Sequence, residues 1–217
     1  MAESVVALRI VRVGLAAGLA LLAAQSTADL VAALGFHSYD SLVDLDRNNS
    51  IPDIVSTGAI LCAAAGAAVL SFRATRVRRR AAALTVVLVL VALDDALHVG
   101  VDQSQASGKI TMATVGIAAT LLIGTTLEIP RAASISALAG LGLLTVSLWG
   151  GDINDKLLTK IGFANLGRGD VAYELSIVGK QGLELAGWIL IALGLWAAAA
   201  VAGRASRERR PAPSLAP

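Results

Sequence analysis

The sequence predicts an all-α bundle of about six transmembrane helices, and three observations predict it. Of 217 residues, 56% are hydrophobic and only 16% are charged, against about 25% charged residues in ordinary soluble domains. A small water-facing domain needs more polar residues than that to cover its surface. The apolar residues are mostly Ala, Leu and Val, with 21 glycines and only 4% aromatics. Small residues let membrane helices approach closely, whereas a soluble core uses larger side chains. Finally, apolar runs of spanning length, about 20 residues, recur along the chain.

Taken in order, the runs are 11–34, 54–72, 81–100, 110–129, 133–150 and 183–202. The first is interrupted by Gln25 and Asp29, and the fifth is the shortest and richest in glycine. Turn and charge signals separate them: Asp46 to Pro52, Arg76 to Arg80, Gln103 to Lys109, Pro130-Arg131 and Gly150-Gly151-Asp152. No repeat of fixed period is visible. The chain reads as one transmembrane domain over 1–210, with a larger outer loop at 150–170 that can form a short amphipathic helix on the membrane. The Pro/Ala-rich 211–217 reads as a disordered tail.

Lysine and arginine are retained on the cytoplasmic side. Placing Arg73–Arg80 inside puts Arg9, Arg12, Arg131 and the C-terminal arginines inside too, so that both termini are cytoplasmic. Twelve of the 18 basic residues then lie inside, and only Glu3, Glu128 and Glu208 of the 16 acids. The expected location is the plasma (cytoplasmic) membrane. A rival reading makes 9–28 a secretory signal: Arg9 and Arg12, an apolar stretch, then small residues Ala23 to Ala28. Cleavage would leave five spans.

Function has to be sought among ionisable residues at membrane depth, where a charge is costly and faces a bundle interior or water. Asp94 stands thirteen residues beyond Ala81, about 20 Å up a helix, in the outer part of the bilayer. Asp95 and His98 follow within a turn, so two carboxylates and an imidazole can share one helix side. Asp29 ends the first span at similar height. Lys180 and Glu184, spaced i,i+4, open the last, preceded by Tyr173 and Glu174. These residues predict a polar cluster opening outward. Asp94, Asp95, His98 and Glu184 are the candidate ligands of a divalent cation or carriers of a proton. Asp29, Lys180 and Glu174 border them. The bland alternative is ion pairing of Lys180 with Asp94 or Asp95, which only holds helices together.

The first outer loop carries Asp44, Asp46 and Asn48 in the alternation of a calcium loop. Asn49 then stands where glycine should, and Val55 where the bidentate glutamate should. A turn ending at Pro52, with Asp53 in the first helical turn, explains the same residues. His37, near Tyr39 and Asp40, suits the interface. Cys62 is the one cysteine, which excludes a disulfide framework and a Cys-based metal site within one chain; it reads as a small lipid-depth hydrophobe. HExxH, GxSxG and GxxxxGK[ST] motifs are missing. With His37 and His98 the only histidines, sites built on several imidazoles are excluded. The Arg76–Arg80 cluster beside a membrane points to topology and lipid rather than nucleic acid. Glu128, a turn from Arg131, reads as its local partner.

Three stretches resemble an uncharacterised group of bacterial multi-pass membrane proteins. They are Asp44-Leu45-Asp46 with Asn49 and Pro52, Leu93-Asp94-Asp95 with His98, and Lys180-Gln181-Gly182-Leu183-Glu184. The group's pattern has Glu where Asp95 stands, a more distant His, and two acids in place of Lys180-Gln181. The resemblance implies a shared architecture and brings no activity; losing the two acids weakens a metal site and favours an ion pair.

The expectation is thus an integral membrane protein whose outward Asp/His/Glu cluster binds or conducts a cation or proton. Its partners are the bilayer and, on this reading, other membrane subunits or further copies of itself. A non-catalytic accessory or scaffold subunit of a larger membrane complex is the alternative from another class. An intramembrane metal-dependent hydrolase is the third.

Overall fold

The structure, a computed structural model, describes residues 2–35, 51–97, 105–160 and 171–208. Among these it contains six α-helices and no strand: α1 (Ala2–Leu30), α2 (Ile51–Arg73), α3 (Arg78–Leu97), α4 (Gln105–Thr126), α5 (Arg131–Lys160) and α6 (Val171–Glu208). A π-helical stretch, Val31–Gly35, prolongs α1. Helix is the natural state of such runs, because in lipid each backbone N–H and C=O must be satisfied within the segment.

The turns keep that accounting complete. Pro52 sits in the first turn of α2, where its missing N–H costs nothing, and Asp53 beside it faces the positive end of the helix dipole. Between α2 and α3 the Ala74 amide donates to the Leu70 carbonyl and the Ala81 amide to that of Val77, both at 2.9 Å. Between α4 and α5 the Glu128 amide donates to the Thr125 carbonyl at 3.1 Å, and that of Ser134 to Pro130 at 2.9 Å. Thr85, Thr120, Thr125 and Thr145 turn their hydroxyls back onto the carbonyl four residues earlier. Such back-bonding lets a hydroxyl sit at depth without an unmet bond.

Helix α6 is the centre of the bundle, packing against α5, α2 and α1, while α3 lies between α2 and α4. Of the most apolar stretch of α6, 61% is buried, against 6% for α1; α1 is therefore an outer helix lying on α5 and α6. The α5–α6 seam is the tightest. A Cβ on Gly140 would meet the Gly187 carbonyl oxygen at 2.5 Å, and one on Gly194 would meet the Ala133 carbonyl oxygen at 2.6 Å. Ser136 donates across the seam to the Leu190 carbonyl at 2.8 Å, and Ser147 to that of Lys180 at 2.9 Å. On the α2 side, the Trp196 indole N–H donates to the Cys62 carbonyl at 3.0 Å. Ile60, Leu70, Leu84, Leu88, Ile191 and Leu195 fill the space between α2, α3 and α6.

These pairings also fix direction. Gly14 meets Leu193 and Gly18 meets Ile189, so α1 runs antiparallel to α6. Gly66 meets Leu195 and Gly203 meets Arg73, so α2 runs parallel to it. One end of the bundle therefore collects Arg9, Arg12, Arg73 to Arg80, Arg131 and Arg204. The other collects Asp29, Asp53, Asp94, Asp95, Lys180 and Glu184.

Four helices are long and apolar enough to cross a bilayer: Val5–Leu30, Asp53–Arg73, Arg131–Leu148 and Leu175–Ala205. Helix α3 does not qualify on composition because Arg80, Asp94 and Asp95 fall within it. Large apolar side chains such as Leu19, Ile54, Phe72, Leu90 and Ile117 face outward, as lipid-facing positions require. This is the build of a membrane-embedded helical protein.

Two sequence expectations change. No break occurs at Gly150-Gly151: α5 continues to Lys160, so 150–160 prolongs the helix instead of forming a loop. Glycine costs a helix only about 1 kcal/mol, less than releasing several backbone hydrogen bonds. Glu128 pairs not with Arg131 but with Arg76 and Arg80 across the bundle end, because the turn between α4 and α5 carries it toward the α2–α3 turn. The stretches 161–170 and 211–217 lie outside the described residues.

Candidate functional site

The acidic end is assembled from three helices. On α2, Asp53 occupies the first turn and Thr57 lies one turn further on, both half-buried. On α3, Asp94 and Asp95 are half-buried near the last turn. On α6, Lys180 is exposed and Glu184, one turn deeper, is half-buried.

The Thr57 hydroxyl donates to the Asp95 carboxylate, tying α2 to α3. Glu184 lies within Coulombic reach of Asp95, Lys180 and Asp53. Ser147 of α5, bonded to the Lys180 carbonyl, anchors the backbone where α6 begins this turn. Among the described residues, Glu184 thus has two carboxylates, Asp95 and Asp53, and one ammonium, Lys180, as electrostatic neighbours.

Of the candidate residues from sequence, the structure brings Asp95, Glu184 and Lys180 together, with Asp94 adjacent on the same helix. It adds Asp53 and Thr57. Asp53 had a helix-start reading that explained it fully, and a lone threonine in an apolar run carries no signal. Asp29 is 2% exposed and belongs to α1, which lies on α5 and α6 rather than on α2 or α3. One turn before it, Gln25 has both side-chain polar atoms buried with no hydrogen-bond partner among the described residues. Glu174 falls in the first turn of α6. His98, Asp44, Asp46 and Asn48 lie outside the described residues.

Among the described residues, no three His, Cys, Asp or Glu side chains come close enough together to hold a metal ion.

The opposite end has a different chemistry. Glu128 accepts from Arg76 Nε at 3.2 Å and from Arg80 Nη1 at 2.6 Å. Arg80 also reaches the Gly124 carbonyl at 3.0 Å. The pair bridges the α2–α3 turn to the end of α4. Beside it lies a cavity of about 120 Å³ lined by Leu70, Val77, Ile129, Pro130, Ala198 and Val201, among others.

No protein-family model matches the chain, and neither a curated protein nor a solved structure matches it. The three-patch resemblance therefore rests on its own residues, and the fold and the two bundle ends carry the functional argument.

Proposed function

We propose that the chain is a six-span membrane protein of the plasma membrane, with both termini cytoplasmic, whose outer acidic cluster takes up a cation, a proton being the simplest. The observation that supports this reading is the company of Glu184, a half-buried carboxylate whose described electrostatic neighbours are the carboxylates Asp95 and Asp53 and the ammonium of Lys180. Ionisable groups gathered at one end of a membrane bundle are suited to binding or relaying a cation.

The span count rests on direction. The six helices alternate, so α3 and α4 must return the chain across the same thickness as their neighbours, Asp94 and Asp95 being carried at the polar end of α3. The orientation rests on the arginines of the other end, which mark the cytoplasmic side. Counting α1 as a resident span rests on its fit to α6, where Gly14 and Gly18 receive Leu193 and Ile189.

The test is infrared titration of the protein in lipid nanodiscs, following the carboxyl C=O band. A pH-dependent band lost in Glu184→Gln, with the fold retained, supports the reading. A spectrum unchanged by Glu184→Gln, Asp95→Asn and Asp53→Asn alike would leave the cluster a packing device, as an accessory subunit would have it.

A further inference from the structure

The two bundle ends differ in more than sign. The basic residues gathered at one end, Arg9, Arg12, Arg73, Arg76, Arg78, Arg79, Arg80, Arg131 and Arg204, are all arginines. All four lysines belong elsewhere: Lys109 in the first turns of α4, Lys156 and Lys160 in the last turns of α5, and Lys180 near the start of α6. Each of these positions lies at the opposite end of its helix from the arginines. Retention of positive charge on the cytoplasmic side is served equally by lysine and arginine, so topology alone does not explain the segregation. The two side chains differ in what they bind. A guanidinium presents a planar fork that grips a phosphate through two parallel hydrogen bonds, while an ammonium is a point charge.

The local charge balance agrees. On this end Glu128 is already taken by Arg76 and Arg80. Arg9, Arg12, Arg78, Arg79, Arg131 and Arg204 are exposed and lie outside the Glu128 bridge. Arg73 donates to the Ala199 carbonyl, at 3.4 Å. They stand at the ends of α1, α2, α3, α5 and α6, at the depth where lipid headgroups lie.

We infer that this arginine-only end is a docking surface for the phosphate groups of anionic phospholipids, ringing the bundle with tightly held headgroups. It is independent of the cation reading, since it uses none of the residues of the acidic end.

The experiment uses the full chain and compares it with a variant in which Arg78, Arg79 and Arg131 become lysine, keeping net charge and leaving the Glu128 bridge intact. Both are purified from nanodiscs containing phosphatidylglycerol and phosphatidylcholine, and the co-purifying lipid is quantified by mass spectrometry. Wild type retains phosphatidylglycerol preferentially, and the lysine variant loses about fivefold or more of that preference, while retention of phosphatidylcholine is unchanged. Equal preference in the two proteins would overturn the proposal, since charge alone would then suffice. So would thermal stabilisation by inorganic phosphate equal to that by phosphatidylglycerol vesicles. A second variant, Arg78→Gln/Arg79→Gln, guards against the lysine protein misfolding: it must lose the preference at least as strongly, and full retention there also sinks the idea.

Discussion

Replacing Gly140 by alanine tests how closely α5 and α6 are held. The added Cβ would stand 2.5 Å from the Gly187 carbonyl oxygen and 2.9 Å from both the Ile191 amide nitrogen and its Cγ1, where ordinary contact begins at 3.4 Å. The shortfall is about 0.9 Å against backbone, which cannot rotate away as a side chain could. The helices must separate, loosening the neighbouring Gly187–Leu144 contact and the Ser136 and Ser147 hydrogen bonds. Overpacking of this kind costs about 1–3 kcal/mol, and alanine returns up to about 1 kcal/mol in helix propensity. A net destabilisation of about 1–2 kcal/mol is expected. Gly142, two residues along the same helix, has nothing within 4 Å of its Cβ position, so Gly142→Ala should be neutral or slightly stabilising. The assay is reversible unfolding in mixed micelles, comparing both variants with wild type. Gly140→Ala equal to or more stable than Gly142→Ala would show that the seam is not a backbone contact.

Gln25→Leu should stabilise the protein by about 1 kcal/mol, because the amide atoms it removes are buried without partners among the described residues and burying such groups carries a desolvation cost; a loss of stability in the same unfolding assay would mean that Gln25 has a polar neighbour. Thr57→Val removes the hydroxyl that donates to Asp95 and should cost about 0.5–2 kcal/mol, with Asp95→Asn adding little more if the two act through one bond, as a double-mutant cycle would measure. Glu128→Gln unlinks Arg76 and Arg80, whose side chains are 84% and 50% exposed, so the cost should stay within about 1 kcal/mol and shrink in high salt. A larger or salt-independent loss would place the bridge deeper than its exposure implies.

Much of the fold was legible because lipid simplifies the code. A run of Ala, Leu and Val long enough to span has only helix available to it, and each of the six runs lies largely within a helix. The helix ends were harder. Gly150-Gly151 resembles a turn in water, yet α5 passes through it. Tyr173 and Glu174 read as an extension of the last span, and α6 does begin before them. Partners were hardest. Asp95, Glu184 and Lys180 could be put at one height from helical rise alone. Which helices face each other depends on packing, and the small-residue pairs Gly140–Gly187 and Gly194–Ala133, which set it, are indistinguishable in sequence from Gly142 or Gly116 facing open space. Asp53 entered the site for that reason, as a helix-start residue whose neighbours come from α3 and α6.

The outermost helix has a timing problem. Gly14 and Leu193, which touch in the finished bundle, are separated by about 180 residues, some ten to forty seconds of ribosomal synthesis. Throughout that interval α1 waits in the bilayer for a seat that has not yet been made. Few of its side chains need covering by protein, so it can wait without being mistaken for damaged goods by the cell's quality control. A nascent chain halted after α5 would carry an orphaned first helix and a half-built bundle, and the final helix is what closes both at once.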